Sequence, residues 1–218
     1  MGAGSASGKG GVVARLLVLA LALAAAVWLA VTDRGHVVVR AAVDLSASHR
    51  VKRFREEILF AAAESAVDPN LLAAILYAES SGRVGVRSHV DALGLFQLRL
   101  PTARERAVVL GLPEPTEEAL LTDPLLNARL GADYFSFLLD RQGGNVERAL
   151  IAYNAGPTRL ATWITEAGGY EAWRAERVAA GDSGVLAYAA KVERYRERFA
   201  KEGLFAPPAP AEGVQTPF

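Results

Sequence analysis

The sequence holds no cysteine and only three histidines, His36, His49 and His89, in 218 residues. The first absence excludes a disulfide framework, a thiolate metal centre and a cysteine nucleophile. The second leaves three scattered imidazoles, too few and too far apart in sequence to build a zinc site, so no metal is expected. Net charge is missing as well. Lysine plus arginine is 24 and aspartate plus glutamate is 24, so no overall field draws the chain to nucleic acid. No fixed-period repeat is visible. The chain is not depleted in apolar residues: 51% hydrophobic and 22% charged are values of a globular protein. Chemistry, if present, rests on carboxylates, hydroxyls and amides.

One long apolar run is present. Leu16 to Val31 carries no charge; Arg15 precedes it, and Asp33 and Arg34 follow. A bilayer span needs about 20 apolar residues and a signal-peptide core 7–15. The run falls between, and a snorkelling Arg15 extends it. Two readings stay open, an uncleaved signal anchor and a cleaved signal peptide. Cutting after Ala24-Ala25-Ala26 would leave Val27 to Val31 as an apolar new terminus, which favours the anchor. No cysteine follows the run, which excludes a lipoprotein anchor. The expected organisation is a cytoplasmic N-terminus over 1–14, a signal anchor or transmembrane helix over 15–32, a linker over 33–48, a folded domain over 49–205 and a disordered tail over 206–218. The domain would then lie on the periplasmic side of the inner membrane, tethered by one span or secreted.

Beyond the linker the pattern is helical. Phe54, Ile58, Leu59, Ala62 and Ala66 recur at spacings of three and four. The neighbouring basic cluster, Arg50, Lys52, Arg53 and Arg55, reads as a solvated helix face offset by Glu56 and Glu57, with lipid head groups as the alternative contact. Asp68-Pro69 and Asp123-Pro124 are helix starts, a capping carboxylate followed by proline at the first helical position. The first of these helices ends at Ser81 with Gly82 as its cap, and the second stops at Gly143-Gly144. Leu126, Leu130, Tyr134, Phe137 and Leu138 form the apolar stripe of the second. Asn145 caps a helix over 146–155. Further helices are predicted near 103–110, 117–121, 158–166, 170–178 and 184–201. Only Val37–Val39 reads as a strand. The fold class is therefore all-α, and about 150 residues suffice for one helical core.

A carboxylate stands in the wrong place. Leu72, Ile75, Leu76 and Glu79 lie at i, i+3, i+4 and i+7, which puts Glu79 on the core-facing stripe of its helix. Burial there raises a carboxyl pKa, and the negative end of the helix dipole pushes the same way. A carboxylic acid still protonated near neutral pH is what a general acid needs. The same position also suits a helix-end glutamate that turns outward or pairs with an arginine. Two more clusters set polar groups inside apolar runs: Ser88 to Leu98, and Ala149 to Pro157 with Tyr153 and Asn154. Three such clusters in one helical domain point to a shared cleft.

The segments AESS, SHVDALGLFQLRLPTA and ALIAYNAGP, together with DPLLNARLGADYFSFLLD and YAAKVERY, resemble in order and spacing the signature blocks of the soluble-lytic-transglycosylase family. The likeness covers about residues 55–200. It implies a lysozyme-like fold, glycan strands of peptidoglycan as the partner and no cofactor. By that resemblance Glu79 is the catalytic acid and base, Ser88 binds the sugar N-acetyl group, and Gln97 supports acid and substrate. Tyr153 and Asn154 line the cleft, and Tyr188 bonds the catalytic carboxyl. Three departures stand out. Asp91 occupies a usual glycine position, Phe96 replaces a usual methionine, and Pro101 comes one position late. With one carboxyl, the family's route is a lyase reaction that closes the muramic acid C6 hydroxyl onto C1. The alternatives are a hydrolytic lysozyme with the same acid and a non-catalytic, membrane-anchored wall-binding protein. Asp91 as a second carboxylate is the weaker reading, since a loop aspartate more often caps or turns the chain.

Overall fold

The computed structural model describes residues 7–31, 45–181 and 184–206. The chain divides into two compact units, Met1–Ser46 and Ala47–Phe218. In the first, helix α1 (Ser7–Val31) takes in the whole apolar run. Its Leu17, Val18, Leu19, Leu21 and Leu23 side chains are exposed. Among the described residues no helix is long and apolar enough to cross a membrane. The predicted strand at Val37–Val39 and most of the predicted linker lie outside the described residues, as does the tail from 207 onward.

The second unit is helical, as the periodicity predicts. Its helices are α2 (45–52), α3 (Arg55–Ser65), α4 (Pro69–Ser80), α5 (Leu100–Val109), α6 (Glu117–Thr122) and α7 (Pro124–Arg141), then α8 (Val146–Ala155), α9 (Pro157–Glu166), α10 (Tyr170–Ala179) and α11 (Gly184–Lys201). The capping signals act as read. Asp68 accepts from the Asn70 amide at 2.9 Å, Asp123 from Leu126 at 2.9 Å and Asn145 from Arg148 at 2.9 Å, each satisfying an amide that has no partner within its helix.

Several expectations need correction. The unit begins at Ala47, inside α2, and Ala47, Ser48 and Val51 are buried, so the last two residues assigned to the linker belong to the fold. The stripe from Phe54 to Ala66 is one helix, α3 with its two caps, but it is not continuous with α2. The chain turns at 53–54, and Ala66 is the left-handed residue that ends α3. Helix α4 ends at Ser80 and its cap is Ser81, with φ 55°, one residue before the expected Gly82. The basic cluster is not simply a solvated face. Arg50 donates to Ser81 O at 3.3 Å and Arg55 to Leu204 O at 3.2 Å, so two of its members bind chain ends of the core. A small antiparallel hairpin also escaped the helical reading: β1 (Ala92–Leu93) pairs with β2 (Leu98–Arg99), Leu93 opposite Leu98. Two residues per strand are too few for an alternating pattern to show.

Helix α4 is the axis of the unit. Every residue from Leu71 to Tyr77 is buried, so it is enclosed on all sides, as a helix apolar all round must be. Helix α11 lies along it, with Tyr195 set edge-on to Tyr77 at 4.7 Å between ring centres. Helices α3 and α7 pack against each other, and Arg129 of α7 forks onto both oxygens of Glu64 at 2.6 and 2.9 Å. The C-terminal end of α4, where Glu79 sits, therefore opens from the centre of the core.

Candidate active site

Glu79 occupies the last turn of α4 and is half-buried. Among the described residues no arginine pairs with it. Its partner is Tyr188 of α11, whose hydroxyl donates to Oε1 at 2.6 Å. Desolvation raises the carboxyl pKa to about 7, and that effect outweighs two opposing ones, the Tyr188 hydrogen bond and the nearby Lys191 ammonium. Lys191 lies one turn along α11 from Tyr188 and donates to Ala78 O at 3.3 Å, a carbonyl of the same last turn. The hydrogen bond to Tyr188 decides between the two sequence readings: the side chain turns inward, onto a neighbouring helix. Burial and the Glu79 charge in turn hold the phenols of Tyr188 and Tyr153 well above their ordinary range, so both stay protonated as donors.

Tyr153, whose phenol feels the Glu79 charge, lines a cleft of about 390 Å3 walled by the turn after β1, by β2, and by α7, α8 and the start of α9; Glu79 itself is not among its lining residues. Gln97, Tyr153 and Asn154 all line it, and Tyr134 joins them. Sequence reasoning placed Tyr134 in the core stripe of α7. It is half-buried, packs on Tyr153 with ring centres 5.4 Å apart and faces the cleft. Tyr153 donates to Phe96 O at 2.7 Å, which ties α8 to the Gly-Leu-Phe-Gln turn. Gln97 has φ 47°, a strained backbone for a non-glycine residue. Its side-chain amide donates to Val86 O at 3.1 Å and Gly94 O at 2.8 Å. Those bonds hold the loop that rims the cleft. Ser88 belongs to that loop: its hydroxyl accepts from Val90 at 3.3 Å and Ala92 at 3.0 Å and keeps its proton free to donate. Asn154 is exposed. The structure thus brings Gln97, Tyr153 and Asn154 to one cleft and Tyr188 to Glu79, and sets Ser88 in the rim.

The departures from the usual pattern have local reasons. Asp91 has φ 57°, a conformation glycine adopts freely and aspartate tolerates. It is exposed and paired with Arg87 at 3.2 Å, so its carboxylate is engaged on the surface. The Phe96 ring is fully buried, and a Cβ on Gly131 would stand 2.5 Å from its Cγ, so the missing side chain at 131 makes the room. Pro101 falls in the first turn of α5, where a proline is tolerated.

Two residues behind the cleft were not singled out from sequence. Asn127, fully buried in α7, accepts from the Phe96 amide at 2.8 Å and donates to Leu93 O and Leu120 O, both at 3.0 Å. It knits the β1–β2 turn to the helices. Lys191 is the other. Its signal was available: a lysine three residues after Tyr188, on the same helix face.

Residues 56–175 match the family model of the transglycosylase SLT domain. The chain belongs to this family. It is 33% identical over 96 residues to the soluble lytic murein transglycosylase of Escherichia coli strain K12, covering 44% of this chain and 15% of that one. It is 33% identical over 97 residues to the membrane-bound lytic murein transglycosylase E of Buchnera aphidicola, covering 43% and 42%. Its fold matches the solved lytic transglycosylase Slt of Pseudomonas aeruginosa with a TM-score of 0.61 and 27% identity, covering 71% of this chain and 25% of that one. The matched region therefore spans 15% to 42% of the length of these relatives. Its mostly helical architecture is theirs.

Proposed function

We propose that this SLT-domain protein is a peptidoglycan lytic transglycosylase. It would cleave the bond between N-acetylmuramic acid and N-acetylglucosamine with Glu79 as its one acid and base. The single observation that carries the reading is a carboxyl raised to about 7 by burial, hydrogen-bonded to Tyr188, whose charge reaches Tyr153 in a cleft lined with amides and phenols. Protonated Glu79 gives its proton to the glycosidic oxygen as the bond to muramic acid C1 breaks. The substrate's own N-acetyl group stabilises the cationic carbon. The Glu79 carboxylate, held by the Tyr188 hydroxyl and the Lys191 charge, then takes the proton of the C6 hydroxyl, whose oxygen closes onto C1. A 1,6-anhydro end forms, Glu79 is again protonated, and no water is consumed. Ser88, Gln97, Tyr153 and Asn154 are the residues proposed to bind the sugar chain, with Gln97 acting through the loop it holds.

The folded unit, residues 47–206, is proposed as the catalytic domain. Helix α1 is proposed as the segment that keeps it at the inner membrane, facing the periplasm. The support is the uncharged run Leu16–Val31 within one 25-residue helix and the likeness to the membrane-bound lytic murein transglycosylase E of Buchnera aphidicola.

Glu79→Gln tests the catalytic assignment. Positioned acid–base catalysis contributes about 10²–10⁴-fold, and here one group serves both steps. Release of muropeptides from purified sacculi is expected to fall at least about a hundredfold while binding to sacculi persists. Near-normal release would move the chemistry to another carboxylate.

A further inference from the structure

Two guanidinium groups in the cleft wall have no role in the fold. Arg99 ends β2, and Arg159 lies in the first turn of α9; both side chains line the cleft and both are exposed. Other arginines of this unit are engaged: Arg129 with Glu64, Arg196 with Asp68 and Arg174 with Glu147. Arg99 and Arg159 have no ion pair or hydrogen bond among the described residues. The cleft lining contains these two cations and no carboxylate. Gln97, Thr102, Tyr153 and Asn154 already supply the donors and acceptors that hydroxyl and acetamido groups require. Two cations on one cleft give it a positive potential that draws an anion. Guanidinium forks match carboxylates bidentately, which an ammonium does not.

We propose that Arg99 and Arg159 read the carboxylates borne by muramic acid residues, so that the cleft separates acidic muramic strands from neutral N-acetylglucosamine polymers of the same shape. The inference rests on the peptidoglycan reading of the cleft. Muramic acid presents a carboxylate in two ways. On peptide-free strands its own lactyl group is free; on peptide-bearing strands that group is an amide and the stem supplies the carboxylates. Arg99 stands in the run Leu98-Arg99-Leu100-Pro101, two residues before the displaced Pro101.

The test uses the full chain carrying Glu79→Gln, which holds ligand without turnover. Equilibrium binding is measured to three probes of equal length: a neutral N-acetylglucosamine oligomer, a peptide-free muramic oligomer and a peptide-bearing one. The parent is expected to prefer an acidic probe over the neutral one by about tenfold or more, and added salt should erode that preference. In the Arg99→Gln/Arg159→Gln double variant the preference should shrink to within about twofold, with an unchanged melting curve because both side chains are exposed. A loss confined to the peptide-bearing probe assigns the stem carboxylates; one confined to the peptide-free probe assigns the lactyl group. A parent that binds neutral and acidic probes equally, or a double variant that keeps its preference, overturns the inference. A parent that binds none of the three overturns the peptidoglycan reading itself.

Discussion

At the residue scale, the property that matters is the energy of a charge on Glu79. Desolvation makes the ionised form costly at the end of α4, and the raised value of about 7 follows from that. The first step needs the acid protonated. The rate constant for release from sacculi should therefore hold below about pH 6 and fall as pH rises through about 7. Tyr188 opposes the shift, because its 2.6 Å hydrogen bond favours the carboxylate. Tyr188→Phe removes that bond, so Glu79 should stay protonated to higher pH and the falling limb should move upward. A pH–rate profile of both proteins checks the sign. A limb that stays in place after Tyr188→Phe would mean that the phenol does not act on the carboxyl.

At the scale of elements, what positions the cleft is the joint between the β1–β2 turn and α7. Gly131 and Asn127 make that joint, one by giving Phe96 room and the other by filling three hydrogen bonds. Gly131→Ala forces a methyl to 2.5 Å from a fully buried ring. Overpacking of this kind typically costs about 1–3 kcal/mol, and here the displaced ring carries the turn with it. Denaturant unfolding should show that loss together with a drop in activity out of proportion to it. Unchanged unfolding would mean that the core around Phe96 is loose. Much of the helical order was legible in the sequence because Asp-Pro and Asn caps act locally, and Glu79 was legible because a carboxylate on an apolar stripe breaks its period. The hairpin was not, being too short for a period, nor was the break at Phe54, where the apolar spacing runs on through a turn. Tyr134 was read as core because half-buried cleft walls and core share one stripe. Asn127 was hidden for the reason that makes it effective, since its partners are backbone atoms 7 to 34 residues away.

At the scale of the whole molecule, the roles proposed for α1 and for the folded unit are tested separately. If α1 holds the chain at the inner membrane, fractionated cells should show the protein in the membrane pellet and resistant to a high-salt wash. A truncation beginning at Ala47 should be soluble and still active. A full chain in the soluble fraction, shortened near Val27, would replace the anchor with secretion. What the protein does is settled most directly by the new ends it makes. The proposed reaction uses one catalytic carboxyl and a nucleophile supplied by the substrate's own C6 hydroxyl. Mass spectrometry of the products released from purified sacculi should accordingly show 1,6-anhydromuramic ends from the unmutated chain and none from Glu79→Gln. Reducing muramic ends, one water heavier, would contradict it and make the protein a hydrolase built on the same acid.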